Sequence, residues 1–215
     1  MKKFIQGMYQ KKNFTVRLIA VILSVIIMGF ALSLLVLVDL GTDPCTSMNL
    51  AISEKLGMGI GNWQALFNTI LFVFVILWGR ENIGFGTLAN MFLVGYSLQF
   101  FSWVWDKILP VGLFDSMAVR ILFLIPALAI FVVSAAVYMD VKLGTAPYDA
   151  IAFIIAKWVQ KVPFRLVRMG FDFTVIVIAF LLGGRIGIVT ILMGFTLGPV
   201  IGAVGEKIGR FIECD

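Results

Sequence analysis

Leu40-Gly41-Thr42-Asp43-Pro44 and Leu143-Gly144-Thr145-Ala146-Pro147 are one turn written twice, with four identities in five at a separation of 103 residues. The register extends past the turns. At the same separation Ile83, Gly84, Thr87, Phe92 and Gly95 fall on Ile186, Gly187, Thr190, Phe195 and Gly198. An apolar chain produces scattered Ile and Phe matches by composition alone, but it has no reason to align Gly, Thr and Pro twice in one register. A duplicated unit therefore sets the architecture before any single element is considered.

The solvent of that unit follows from composition. Of 215 residues, 61% are hydrophobic and 13% charged, with a mean hydropathy of +1.05. Soluble chains carry roughly 25% charged residues, so a water-soluble globular fold is excluded. Residues 18–38, 60–79, 83–105, 121–139 and 186–204 are free of charge and long enough to cross a hydrocarbon core about 30 Å thick. Residues 163–184 cross only by taking Arg168 and Asp172 into the membrane. Residues 44–57 and 147–161 look helical but are short, the length of re-entrant or interfacial segments.

The reading is an all-α polytopic membrane protein with six transmembrane helices. A basic segment, 1–17, precedes two three-helix repeats, 18–110 and 111–215, each with a short re-entrant half-helix. An odd-numbered unit must enter the bilayer from opposite sides in its two copies, which makes the repeats inverted, as in many secondary transporters. If both short helices crossed, eight spans would result and the halves would be parallel.

Lys2, Lys3, Lys11, Lys12 and Arg17 precede the first apolar run, the pattern of a cytoplasmic amino terminus. Of the 17 Lys and Arg, all but Lys55, Lys107, Arg120 and Arg185 then fall on the cytoplasmic side, as do both termini. The net charge of +5 is spread along the chain rather than gathered in one patch, so no nucleic-acid partner is expected. The expected partners are the lipid bilayer and a small-molecule substrate.

Chemistry is restricted by the absence of His, which removes Ser-His and Cys-His nucleophiles and the zinc-protease motif. Cys45 and Cys214 have neither the number nor the spacing of a metal site or disulfide framework. The expectation is a protein that is not an enzyme and needs no metal or cofactor.

The two turns carry the candidate site. Pro is favoured in the first turn of a helix, and Thr and Asp before it are good caps, so each turn is a break followed by a new helix. Such a start exposes free backbone N–H groups and the positive end of the helix dipole. Gly41, Thr42, Asp43, Gly144 and Thr145 are therefore candidate substrate-binding residues, and replacing Gly41 or Gly144 by Leu is expected to block transport without affecting expression. Ionisable and polar groups inside spans are functional by default. Arg168 and Asp172, four apart, share a helical face, as do Gln64 and Asn68. Asn90 on the third span and Asp149 in the first turn of the second short helix complete the set. Asp43 has no acidic counterpart at Ala146, so proton or sodium coupling falls most economically on Asp43. Gly194, Gly198 and Gly202 make a small-residue track for close helix approach, against the third span or across a homodimer.

The run Leu40-Gly41-Thr42-Asp43-Pro44, then Gly61-Asn62-Trp63-Gln64, Gly79-Arg80 and Ile83-Gly84-Phe85-Gly86-Thr87 with Asn90-Met91-Phe92-Leu93-Val94-Gly95-Tyr96, resembles the YczE/YyaS/YitT group of bacterial integral membrane proteins. The resemblance runs from about the first span to the last. It implies a multi-pass protein of the bacterial cytoplasmic membrane and supplies no site residues.

The functional expectation is a small secondary carrier or exporter. Helix amino ends and Arg168 suggest an anionic or amphipathic substrate, with Trp63, Phe67 and Tyr96 offering apolar contact. The alternative is a non-transporting membrane partner, such as the substrate-capture subunit of an importer or an accessory factor.

Overall fold

The structure, a computed structural model, describes residues 13–212. Lys2, Lys3, Lys11, Lys12 and Cys214 lie outside the described residues. Among those described there are eight α-helices, a single 3₁₀ turn at Arg80–Asn82 and no strand. In chain order the helices are α1 (Phe14–Val38), α2 (Pro44–Leu56), α3 (Ile60–Trp78), α4 (Phe85–Ile108), α5 (Met117–Asp140), α6 (Pro147–Trp158), α7 (Phe164–Leu181) and α8 (Ile188–Ile212). A helix appears at each of the expected segments, with bounds close to those read from the sequence except that α8 runs on to Ile212. α1, α3 and α5 are long and apolar enough to cross a membrane by length and composition.

The helices pair in a pattern that survives exchange of the two copies: α1 with α4 and α5 with α8, α3 with α4 and α7 with α8, α2 with α7 and α6 with α3. The two first helices, α1 and α5, pack on each other at the centre, where Val21, Val25, Leu32 and Leu35 join Ala127, Phe131, Ala135 and Ala136 in one core. They run antiparallel. Arg17 near the start of α1 donates from Nη1 to the Val141 carbonyl just past the end of α5, at 3.0 Å. At the other end of the molecule Arg120, early in α5, pairs with Asp39 just past α1 at 3.8 Å.

The repeated turns are where the copies lock together. The Gly86 N–H donates to the Leu143 carbonyl at 2.8 Å, and the Val189 N–H donates to the Leu40 carbonyl at 3.1 Å. Each bond joins the first turn of one copy's last helix to the other copy's break, and their members correspond under the sequence repeat. Gly41 and Gly144 have φ of 106° and 107°, a region L side chains rarely adopt. A Cβ on Gly41 would meet Thr190 Oγ1 at 2.5 Å, and one on Gly144 would meet the Gly84 nitrogen at 2.5 Å. The glycines are thus required by backbone conformation and close approach together.

The short helices sit against the opposite copy's turn. Ile154 of α6 lies on Gly79, Lys157 is ion-paired with Glu81, Trp158 packs edge-on against Trp78, and the Thr145 N–H donates to the Asn82 carbonyl at 3.0 Å. Both ends of α6 therefore meet one turn at the Arg17 end of the molecule. α2 is placed in the same way, with Ala51 against Gly184 and Gly41 against Gly187 at the Asp39 end.

The exterior is apolar, with Leu66, Ile70, Val73, Phe74, Phe173, Val177 and Phe180 exposed along α3 and α7. Exposed apolar surface on this scale has lipid as its natural solvent.

Candidate functional site

Between the copies lies a cavity of about 740 Å³. Every helix contributes to it. α1 gives Met28 and Leu32, α2 its first residues Asp43 to Thr46, α3 Gln64 and Asn68, α4 Asn90 and Val94, and α5 the stretch from Phe131 to Asp140. α6 supplies Tyr148, Asp149 and Phe153, α7 Phe164, Arg165, Arg168 and Asp172, and α8 Gly194, Phe195 and Leu197. The cavity reaches the surface where the exposed Lys142, Phe164 and Arg165 line it, at the Arg17 end. None of Asp39, Arg120 and Arg185, which pair at the opposite end, lines it.

Seven expected residues meet here from four helices and one cap: Asp43, Gln64, Asn68, Asn90, Asp149, Arg168 and Asp172. Asp43 is the N-cap of α2, its Oδ2 accepting the Thr46 N–H at 3.0 Å. Its Oδ1 is buried and has no hydrogen-bond partner, and the Gln64 Oε1 is likewise buried and unpartnered. Arg168 is held between two carboxylates, donating from Nε to Asp172 Oδ2 at 2.9 Å and from Nη1 to Asp149 Oδ1. The i to i+4 pair expected from the sequence is thus present, but Arg168 turns inward rather than toward headgroups.

Four expected residues stand elsewhere. Gly41, Thr42, Gly144 and Thr145 do not line the cavity; they form the joints between copies. Thr42 Oγ1 bonds Ser47 Oγ at 2.9 Å, and Ser47 reaches Thr190 Oγ1 at 3.3 Å, tying α2 to α8. Even the Cβ of a Leu at Gly41 or Gly144 would lie within 3 Å of backbone and side-chain atoms, so such variants are expected to lose stability as well as transport.

Two further expectations are corrected. Trp63, Phe67 and Tyr96 do not line the cavity: Trp63 donates from Nε1 to Asn49 Oδ1 at 2.9 Å and stacks on Phe67, while Tyr96 is exposed and bonds Asn62. The aromatic wall is instead Phe131, Tyr138, Tyr148, Phe153, Phe164 and Phe195. α8 packs mainly on α5 and α7 rather than on the third span. Gly194 allows approach of Ile176 and Pro44, and Gly198 faces open space; Gly202 falls outside the residues whose surroundings are described.

Tyr148 is the residue that sequence reading misses. Its hydroxyl donates to Asp172 Oδ1 at 2.6 Å, and the Arg168 guanidinium lies 5.2 Å from its ring centre. An aromatic beside Pro147 gives no polar signal of its own; only the packing of α6 on α7 makes it a partner of the ion pairs. Asn49, fully buried and bonded to both Cys45 and Trp63, is also missed, because its partner Trp63 is supplied by the neighbouring helix α3.

Fold and site together define the class: an all-helical membrane protein whose two sequence repeats line a largely apolar cavity that carries a cluster of polar and charged groups. Comparison with known proteins makes this specific. The chain belongs to the family of unknown function DUF6198, which matches residues 15–206. It is similar to an uncharacterized protein of Haemophilus influenzae, 27% identical over 177 residues, 81% of this chain and 77% of that one. The uncharacterized membrane protein YczE of Bacillus subtilis is 25% identical over 179 residues, 82% of this chain and 79% of its own length. The uncharacterized protein YyaS of the same organism is 25% identical over 171 residues, 79% and 83% of the two chains. No solved structure matches it significantly.

Proposed function

We propose that this protein is a small secondary transporter of the bacterial cytoplasmic membrane, moving a small amphipathic molecule through the cavity between its halves. The observation that carries the reading is that this cavity, of about 740 Å³, gathers polar side chains of α3, α4, α6 and α7 with the α2 cap and reaches the surface at the Arg17 end, while the residues that pair at the opposite end do not line it. That volume suits a small organic ligand, and a central site reached from one end fits alternating access. In this reading α1, α3, α4, α5, α7 and α8 span and the halves are inverted. Supporting it, α1 and α5 are antiparallel, and each short helix contacts a single end of the molecule. The Arg17 end is cytoplasmic by the distribution of Lys and Arg, so the cavity faces inward. The two halves rock about the reciprocal backbone bonds at Leu40 and Leu143.

An anionic substrate loses its main support, because the charge of Arg168 is answered by Asp149 and Asp172. Asp43 remains the residue for coupling to an ion gradient. The test is flux of labelled metabolite pools into liposomes containing only this protein, with and without proton or sodium gradients. Uptake that vanishes in Asp43→Asn supports the reading. Inert liposomes that become active only when another membrane subunit is added would replace it with the accessory-partner role.

A further inference from the structure

The deep part of the cavity has an unbalanced set of charges and hydrogen-bond groups. Asp43, Asp149 and Asp172 line it with Arg168 as the cation among them, while Lys142 and Arg165 stand at the exposed mouth with Asp140. Arg168 is spent on Asp149 and Asp172, and the second oxygen of Asp172 is taken by Tyr148. Asp43 lies within electrostatic range of both other acids. Its Oδ1 lacks a donor, and so does the Gln64 Oε1, which lies beside Gly95 on α4. A buried carboxylate oxygen and a buried amide oxygen without donors cost free energy that a ligand with positively charged N–H groups would recover.

The shape of the wall selects among cations. Among the described residues no group of three or more His, Cys, Asp or Glu converges closely enough to hold a metal ion. Acceptors are scattered over a chamber whose largely apolar lining includes Phe131, Tyr138, Tyr148, Phe153 and Phe195. Aromatic faces attract an organic cation and accommodate its apolar body. The placement of Arg168 over Tyr148 is an internal instance of that contact.

We propose that the cavity binds an amphipathic primary or secondary amine in its protonated form, its ammonium group donating to Asp43 Oδ1 and its apolar part lying against the aromatic wall. This rests on the cavity being the substrate site of a carrier, and it names the substrate class that the site takes.

The test uses the full chain purified in detergent and three probes of nearly equal size: 2-phenylethylammonium, neutral 2-phenylethanol and anionic 3-phenylpropionate. Saturable binding, read by calorimetry and by a rise in melting temperature, is expected for the ammonium probe alone. Asp43→Asn, which keeps an N-cap residue, is expected to weaken that binding about tenfold or more, the loss of one charge-assisted contact. If that variant does not fold, the three-probe comparison on the unaltered chain still decides. The proposal is overturned if the anion or the alcohol binds as well as the ammonium, if sodium ions displace the ammonium as effectively as a second amine does, or if Asp43→Asn binds it unchanged. Flux separates the two levels of the argument. Amine binding without uptake in protein-only liposomes would sink the carrier and leave the site; uptake of an anion with no amine binding would do the reverse.

Discussion

Substituting Ala for Gly187 tests the joint between the halves with a single methyl group. An added Cβ would lie 1.9 Å from the Leu40 carbonyl oxygen, 2.2 Å from its carbon and 2.7 Å from the Gly41 nitrogen. Ordinary contact begins near 3.4 Å, so the Leu40 peptide must retreat by most of the difference. That peptide accepts the cross-repeat bond from Val189 at 3.1 Å, and a retreat of this size breaks it. Stranding a buried donor and acceptor costs about 1–3 kcal/mol, and forcing backbone apart in a packed region costs about 1–3 kcal/mol more. The sum, roughly 2–6 kcal/mol, reaches the upper end for one substitution and a large part of a typical domain's stability. Gly84→Ala, with its Cβ 2.0 Å from the Leu143 oxygen, should match it. Gly170→Ala is the control, since nothing lies within 4 Å of its Cβ and Ala is the better helix former. Thermal unfolding in detergent, followed by tryptophan fluorescence and by size-exclusion profile, measures all three. If Gly187→Ala melts with the parent protein and elutes as one symmetric peak, the account of the interlocked breaks is wrong.

Arg168→Ala leaves the carboxylates of Asp149 and Asp172 without their cation and should cost about 3–5 kcal/mol, whereas adding Asp149→Asn to it should recover part of that loss in the same melting assay. Asp43→Ala removes the cap from α2 and should lower stability by about 1 kcal/mol relative to Asp43→Asn, which retains a capping side chain; equal melting of the two would contradict the cap. Lys157 beside Glu81 holds that carboxyl below the usual carboxylate range. A carboxyl lowered on folding stabilises above its unfolded value and loses that contribution as pH falls through the lowered one, so Lys157→Gln should flatten the acid limb of the stability profile. At so exposed a pair the change is well under about 1 kcal/mol, read from melting between neutral and acid pH.

Much of the architecture is legible in the chain itself, because spans and breaks are local properties. A bilayer demands an uninterrupted apolar run of fixed length, and Gly-Thr-x-Pro interrupts one wherever it occurs. The repeat shows that two copies exist. Polar residues within apolar runs also announce themselves, which is why Asp43, Gln64, Asn68, Asn90, Asp149, Arg168 and Asp172 could be singled out and then meet in one cavity.

What the chain alone could not decide was the role of each group, since that depends on a neighbour more than a hundred residues away or on an adjacent helix. Gly41 and Gly144 read as ligand contacts, yet they serve the joint, because only the packed structure brings Thr190 and Gly84 against them. Arg168 reads as the partner of Asp172 and a source of positive potential, yet α6 delivers Asp149 as a second carboxylate that neutralises it. Trp63 reads as cavity wall, yet its indole is claimed by Asn49. Sequence determined the solvent, the segments and the duplication, which follow from hydrophobic length and local backbone preference. Tertiary structure decided the charge balance of the cavity, because Coulomb and hydrogen-bond energies depend on distances that no spacing along the chain encodes.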